Sequence, residues 1–217
     1  MSAPMLLSIN AAVRSQQVRN TVLSASILGV LGLSAGLVFF SARRLRAIAT
    51  QQVEFVAADS PGRAARGPVD LAEAARAAVK GMQGLAAERR AEIAVEIAED
   101  LPRVNGDLSH LTRAISNLLG NALKYGGDAP RVTLRVSRVA SGVEIAVSDQ
   151  GAGLAQAEIP RLFEPFYRGQ RASEAHVPGS GLGLALVKRI VESHGGRVSA
   201  GNDASGGALF TIGLPAA

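Results

Sequence analysis

Asn117 and Asn121 stand four residues apart within LSHLTRAISNLLGNALKY. Read as a helix over 108–125 at about 100° per residue, this segment gathers Leu111, Ile115, Leu118, Leu119 and Ala122 on one arc. His110, Arg113, Asn117, Asn121 and Lys124 fall on another, with Tyr125 at its edge. A polar stripe ordinarily faces water, yet Asn lowers helix propensity, and Glu or Lys would solvate the face better. Two amide oxygens on one side suit a hard cation such as Mg²⁺, and Lys124, a turn further on, suits a phosphate. Both readings stay open on the helix alone. A second signal is Asp149, which closes EIAVSD and is followed by Gln150, Gly151, Ala152, Gly153 and Leu154. A carboxylate at a strand end can accept a hydrogen bond from an exocyclic amine, and glycines let backbone approach a flat ring. Turns are also rich in Asp and Gly, so this motif is weak alone.

The run Gly179, Ser180, Gly181, Leu182, Gly183, Leu184 opens ALVKRIVESHGG. Glycine-rich backbone ahead of a helix presents N–H groups to an anion. The spacing is G-x-G-x-G after a polar loop, which excludes a dinucleotide fingerprint, and no G-K-[ST] follows, which excludes a Walker loop. The fourth signal is IPRLFEPFYR, which groups Phe163, Phe166 and Tyr167 ahead of the polar GQRASEAHVPGSG. Core packing under a loop and the root of a mobile lid are both consistent with it.

These residues need a frame. The sequence predicts a helix over 69–89 with Asp70 near its start and a strand in AEIAVEIAED. RVTLRVSRVA and GVEIAVSDQG alternate as two strands joined at Ser141 and Gly142. A short helical or irregular piece at 160–167, a helix over 183–194 stopped by Gly195 and Gly196, and a last strand in ALFTIGLP complete the pattern. The expectation is an α+β fold, a two-layer α/β sandwich with a mixed sheet covered by helices on one face.

The first third has a different character. Residues 1–67 carry seven Arg against Glu54 and Asp59, whereas 68–217 carry 16 basic and 16 acidic residues. The basic excess is therefore local, and with six Phe, two Tyr and no Trp the chain is not built to bind nucleic acid. Absence of Cys excludes disulfides, cysteine-ligated metal and a thiol nucleophile. Between Arg19 and Arg43 lie 23 uncharged residues, and as a helix 21–42 would span roughly 33 Å, enough for a bilayer core. The expected organisation is a short extracytoplasmic segment at 1–20, one transmembrane helix at 21–42, a juxtamembrane helix and linker at 43–67, and a domain at 68–217. Arg43, Arg44 and Arg46 place the C-terminal part in the cytoplasm by the positive-inside rule. Gly32 and Gly36 have the spacing of a helix-dimer face, which keeps a homodimer open.

The four signals together, in this order and spacing, resemble the ATP-binding domain of sensor histidine kinases. NLLGNALKYG looks like its N box, DQGAGL its G1 box, IPRLFEPFYRG its F box and GSGLGLALVKRIVESHGG its G2 box. The resemblance covers 68–217 and implies the sandwich shared with gyrase-type ATPases and the heat-shock chaperone family. It further implies ATP and Mg²⁺ as cofactors and a two-component system as the setting. Asp149 would bind the adenine amino group, Gly151 and Gly153 would shape the pocket, and Asn121 would ligate Mg²⁺ with Asn117 beside it. Lys124 and Tyr125 would lie near the phosphates, Gly179, Gly181, Leu182 and Gly183 at the phosphate side, and Arg168 and Arg171 would reach phosphate. Asn117 and Lys124 would serve catalysis. Water-using ATPases of this fold typically carry Glu at the position of Asn117. A neutral amide cannot take a proton from water, which argues for phosphoryl transfer over hydrolysis.

One departure counts against a self-sufficient kinase. No motif like S-H-E-L-R-T-P precedes the domain, and 13 residues between Phe55 and Val69 cannot hold a two-helix hairpin. His110, His176 and His194 do not fit the phosphoacceptor pattern, and no sensory domain is expected ahead of the apolar run. The resulting expectation is a single-pass protein of the bacterial inner membrane with a cytoplasmic catalytic domain. It would act on a histidine of another chain, with a response regulator or a full-length histidine kinase as partner. A catalytically silent ATP-binding module or a truncated remnant is the alternative.

Overall fold

The computed structural model describes residues 66–170 and 179–217. The expected transmembrane helix at 21–42, nearly all of the juxtamembrane segment, Arg171 and His176 lie outside the described residues. Among the described residues no helix is long and apolar enough to cross a membrane.

Strand β1, Gly67–Val69, pairs antiparallel with β3, Val104–Gly106. Asp70 then caps helix α1, Leu71–Glu88, by accepting the Ala72 N–H at 2.8 Å. The predicted helix starts two residues late, because Val69 is taken into the pairing with Val104. Helix α2, Leu108–Tyr125, follows its own cap at Asp107. Helix α3 is Gly183–Ser193. A 3₁₀ turn at Ile159–Arg161 holds the predicted irregular piece.

The main sheet comprises β2 (Glu92–Ile97), β4 (Arg131–Val139), β5 (Gly142–Asp149), β6 (Arg197–Asn202) and β7 (Ala208–Pro215) in the order β2-β4-β5-β7-β6. The β2–β4 pair is parallel and the rest are antiparallel, so the sheet is mixed as expected. Register aligns Leu134 with Val147 and Val136 with Ile145, and Ile145 with Ile212 and Val147 with Phe210. These side chains form the sheet's contribution to one core with Leu111, Ile115, Leu118 and Leu119 of α2. Each such fully buried aliphatic side chain contributes about 1.5–3 kcal/mol of transfer free energy. Small residues Ala74, Ala75 and Ala78 on α1 let it approach α2 closely and are themselves buried. The other sheet face, with Thr133, Arg135 and Ser137, remains outside this core.

The alternation of β5 fixes the chemistry. Val143, Ile145 and Val147 point into the core, and two residues on, the same face receives Asp149. A carboxylate therefore occupies the last inward position of a core strand.

Candidate functional site

Asp149 is only 4% exposed. Its Oδ1 accepts the Gly151 N–H at 2.9 Å and the Ala208 N–H at 3.4 Å. Among the described residues no donor reaches Oδ2, and the side chain lines a cavity of about 660 Å³. Burial pushes the carboxyl above its ordinary pKa, the two backbone N–H groups oppose this, and the nearby charge of Asp203 adds to the rise.

Helix α2 supplies the next wall with Ser116, Asn117, Gly120, Asn121, Lys124 and Tyr125. Asn117 spends its Nδ2 on the Arg113 carbonyl at 2.9 Å, so its Oδ1 is the atom left for a ligand. A Cβ on Gly183, at the start of α3, would stand 3.2 Å from that oxygen. The α2 stripe and the N-terminus of α3 therefore face each other across the cavity. Leu182, the α3 N-cap, makes no side-chain capping bond, and Gly183 and Leu184 of the first turn line the cavity.

Gly179, Ser180, Gly181 and Gly183 line this end, as do Arg168 and Gly169. Gly181 has φ +74, and its carbonyl accepts the Phe166 N–H at 3.0 Å; a Cβ there would meet the Phe166 backbone at 2.6 Å. Phe166 is itself at φ +66 and 63% exposed. The aromatic segment and the glycine run are thus joined backbone to backbone.

Of the expected site residues, Asn117, Asn121, Lys124, Tyr125, Asp149, Gly153, Arg168, Gly179, Gly181 and Gly183 converge on this one cavity. Two stand behind its wall. Gly151 packs against the Tyr125 carbonyl, and Leu182 is turned into the protein at 2% exposure. His110 and Arg113, on the same predicted stripe, lie toward the other end of α2 and do not line the cavity. Residues not anticipated line the cavity as well: Met82 and Leu85 from α1, Arg89 at its C-cap, Asp128 after α2, and Glu158. The spacing of Met82, Leu85 and Arg89 puts them on one helix face, the one sequence signal that could have found them. Arg89 donates to the Lys124 carbonyl at 2.9 Å and ties the ends of α1 and α2 together.

Residues 106–217 match the family described as histidine kinase-, DNA gyrase B-, and HSP90-like ATPase, and this is half of the chain. The chain belongs to this family. Its histidine-kinase-type ATP-binding catalytic domain contains the whole cavity apart from the α1 wall. The sensor-like histidine kinase SenX3 of Mycobacterium tuberculosis is 38% identical over 125 residues, covering 56% of this chain and 30% of the relative. Among solved structures, the mycobacterial sensor histidine kinase MprB is 34% identical at a TM-score of 0.59, covering 70% of this chain and 97% of that one. Full-length ShkA in complex with AMPPNP is 30% identical at a TM-score of 0.68, covering 82% of this chain and 38% of that one. The chain spans about a third of the length of the curated relatives it matches.

Proposed function

We propose that the chain is a membrane-anchored, histidine-kinase-type ATP-binding protein of two-component signalling that binds Mg-ATP for phosphoryl transfer to a histidine on a separate chain. The observation that carries this reading is the largely buried Asp149 carboxylate, whose Oδ2 has no donor among the described residues, in one cavity with the Asn117, Asn121 and Lys124 stripe. A largely desolvated acceptor at a pocket wall selects a donor such as the adenine amino group, because a ligand that expelled water without offering a donor would leave the charge unmet. Sugar and phosphates would then run toward Lys124, Tyr125, Arg168 and the α3 N-terminus, where cations and free N–H groups stabilise negative charge. Gly153 and the loop glycines at 179–183 give the backbone its close approach.

The donor set fits Mg²⁺. Among the described residues no group of three His, Cys, Asp or Glu could cage a metal. Asn117 and Asn121 offer amide oxygens, which matches a cation held by one or two protein oxygens and shared with substrate phosphates. Bound there, Mg²⁺ would neutralise charge on the phosphate oxygens. Asn121 is assigned as ligand with Asn117 beside it. Neither amide can deprotonate water, which favours an imidazole nucleophile over hydrolysis. In the transfer, the imidazole lone pair forms the P–N bond, the terminal P–O bond to ADP breaks, and the ring proton leaves to water.

The alternative, a module that binds ATP without transferring it, is favoured by one feature. The chain has no S-H-E-L-R-T-P-like motif ahead of the domain, and His194 has both ring nitrogens engaged. Incubation with γ-labelled ATP and a separate phosphoacceptor hairpin domain decides between them. Acid-labile label on the hairpin supports transfer in trans. Nucleotide binding without label supports the silent module.

A further inference from the structure

Gly153 and Leu154 line the cavity, yet their backbone is held from outside their own loop. Asn202, the last residue of β6, accepts the Leu154 N–H on Oδ1 at 2.7 Å and donates Nδ2 to the Leu154 carbonyl at 3.0 Å. One side-chain amide thus satisfies both peptide groups of a residue 48 positions away, as a neighbouring strand would. Gly153 sits at φ +66, where a Cβ would collide with the Gly206 carbonyl oxygen and stand 2.8 Å from Asn202 Oδ1. The turn between β6 and β7 is therefore seated against the loop. That turn is itself braced: Asp203 accepts the Ser205 N–H at 2.8 Å and the Ser205 hydroxyl at 2.6 Å, and its carbonyl accepts the Gly206 N–H at 3.0 Å. Directly after it, Ala208 donates its N–H to Asp149. The β6–β7 hairpin grips both ends of the loop, Asp149 at its start and Leu154 at its close.

We propose that Asn202 is a positioning residue that sets the gap between the Asp149 carboxylate and the Gly153–Leu154 backbone, and through it the selectivity for a base bearing an amino group. The inference rests on the nucleotide reading of this cavity and adds to it a residue outside all four motifs. A side-chain amide is the group that carries an acceptor and a donor side by side. Aspartate at this position would keep an acceptor for the Leu154 N–H but set a carboxylate against the Leu154 carbonyl. Alanine would remove both bonds and leave the loop without its outer support.

The test measures dissociation constants of the 217-residue chain for ATP and for inosine triphosphate, which carries a carbonyl where adenine has its amino group. Wild type should prefer ATP. Asn202→Ala should weaken ATP by about five- to tenfold, because the gap between Asp149 and the Gly153–Leu154 backbone is no longer held before the ligand arrives, while the inosine nucleotide changes by less than about twofold. Asn202→Asp, of nearly the same size, should lose selectivity likewise, which guards against an alanine variant that merely unfolds. Parallel weakening of both nucleotides, or no change in either, overturns the positioning role. A wild-type chain that binds neither nucleotide overturns the nucleotide reading itself, and the inference with it.

Discussion

The imidazole Nε2 of His194 accepts the backbone N–H of Asp107 at 3.1 Å, joining the end of α3 to the start of α2. Nδ1 lies 2.7 Å from the Ile190 carbonyl, so it must donate, and the ring is the neutral Nδ1–H tautomer. Asp107 in turn caps α2 by accepting the N–H groups of Ser109 and His110 at 2.7 and 3.0 Å. The helix that carries the asparagine stripe is thus fastened to the helix whose N-terminus faces that stripe.

This fastening is sensitive to acid. Burial holds the His194 pKa below its ordinary value; the bond to Ile190 and the charge of Asp107 oppose this, while Arg66 and His110 push it further down. With the folded-state pKa depressed, the unfolded chain binds more protons at mildly acid pH. The His194 contribution is complete above about pH 6.5 and is lost as pH falls through the folded value. Denaturant titrations between about pH 7.5 and 5 should show stability falling on the acid side. His194→Phe should flatten that fall and cost about 1–3 kcal/mol at neutral pH, because the Asp107 N–H loses its acceptor. An unchanged acid slope in the variant would assign the loss to another group.

Asp149→Asn should stabilise the ligand-free protein at neutral pH. The folded carboxyl pKa is raised by burial, so ionised Asp149 costs stability above that value, and the cost disappears as pH falls through it. Asparagine keeps an oxygen for the Gly151 and Ala208 N–H groups without the charge. Thermal unfolding should give a higher midpoint for the variant at pH 7 than for wild type, with the gap closing toward acid. A lower midpoint at pH 7 would contradict the burial account.

Much of this was legible in the residues. The period of 108–125 gave the right core face, because five apolar side chains at helical spacing leave little choice of orientation, and all five are buried. The alternation in β4 and β5 was equally readable, but Asp149 was legible only as a carboxylate at a strand end; its buried, inward position is a finding of the structure. The short strands β1 and β3 were missed, since three residues cannot display a period and their pairing is non-local. Strand β6, RVSAGN, was missed because it is polar and contains glycine; it is made by its pairing with β7. The roles of Asn202, Glu158 and Arg89 in the site follow from tertiary neighbours far away in sequence, which spacing does not encode.

Removal of divalent cation should affect only the phosphate half of the ligand. Chelation by EDTA should weaken ATP binding by about tenfold or more and leave adenosine binding unchanged, because in the proposed site the amide oxygens would hold the ion only together with phosphate. Asn121→Ala should lose most of this dependence on Mg²⁺. Equal ATP affinity with and without Mg²⁺ in the wild-type chain would remove Asn121 from the ligand set.

The purified chain should not label itself on histidine. His194 is buried with both nitrogens engaged, and His110 projects from the helix that forms the site wall, so neither can approach in line. Incubation with γ-labelled ATP should leave no acid-labile, base-stable label. Such a label, lost in His176→Gln, would overturn this prediction and identify the acceptor.

Titration calorimetry tests the proposed recognition of adenine by the Asp149 carboxylate directly. Wild type and Asp149→Asn are titrated with Mg-ATP and with Mg-GTP. Wild type should bind ATP and prefer it to GTP, whose ring presents a carbonyl to the carboxylate. The variant should bind ATP more weakly by about 1–3 kcal/mol, the loss of one charge-assisted hydrogen bond. Equal ATP affinity in the two proteins would contradict the account.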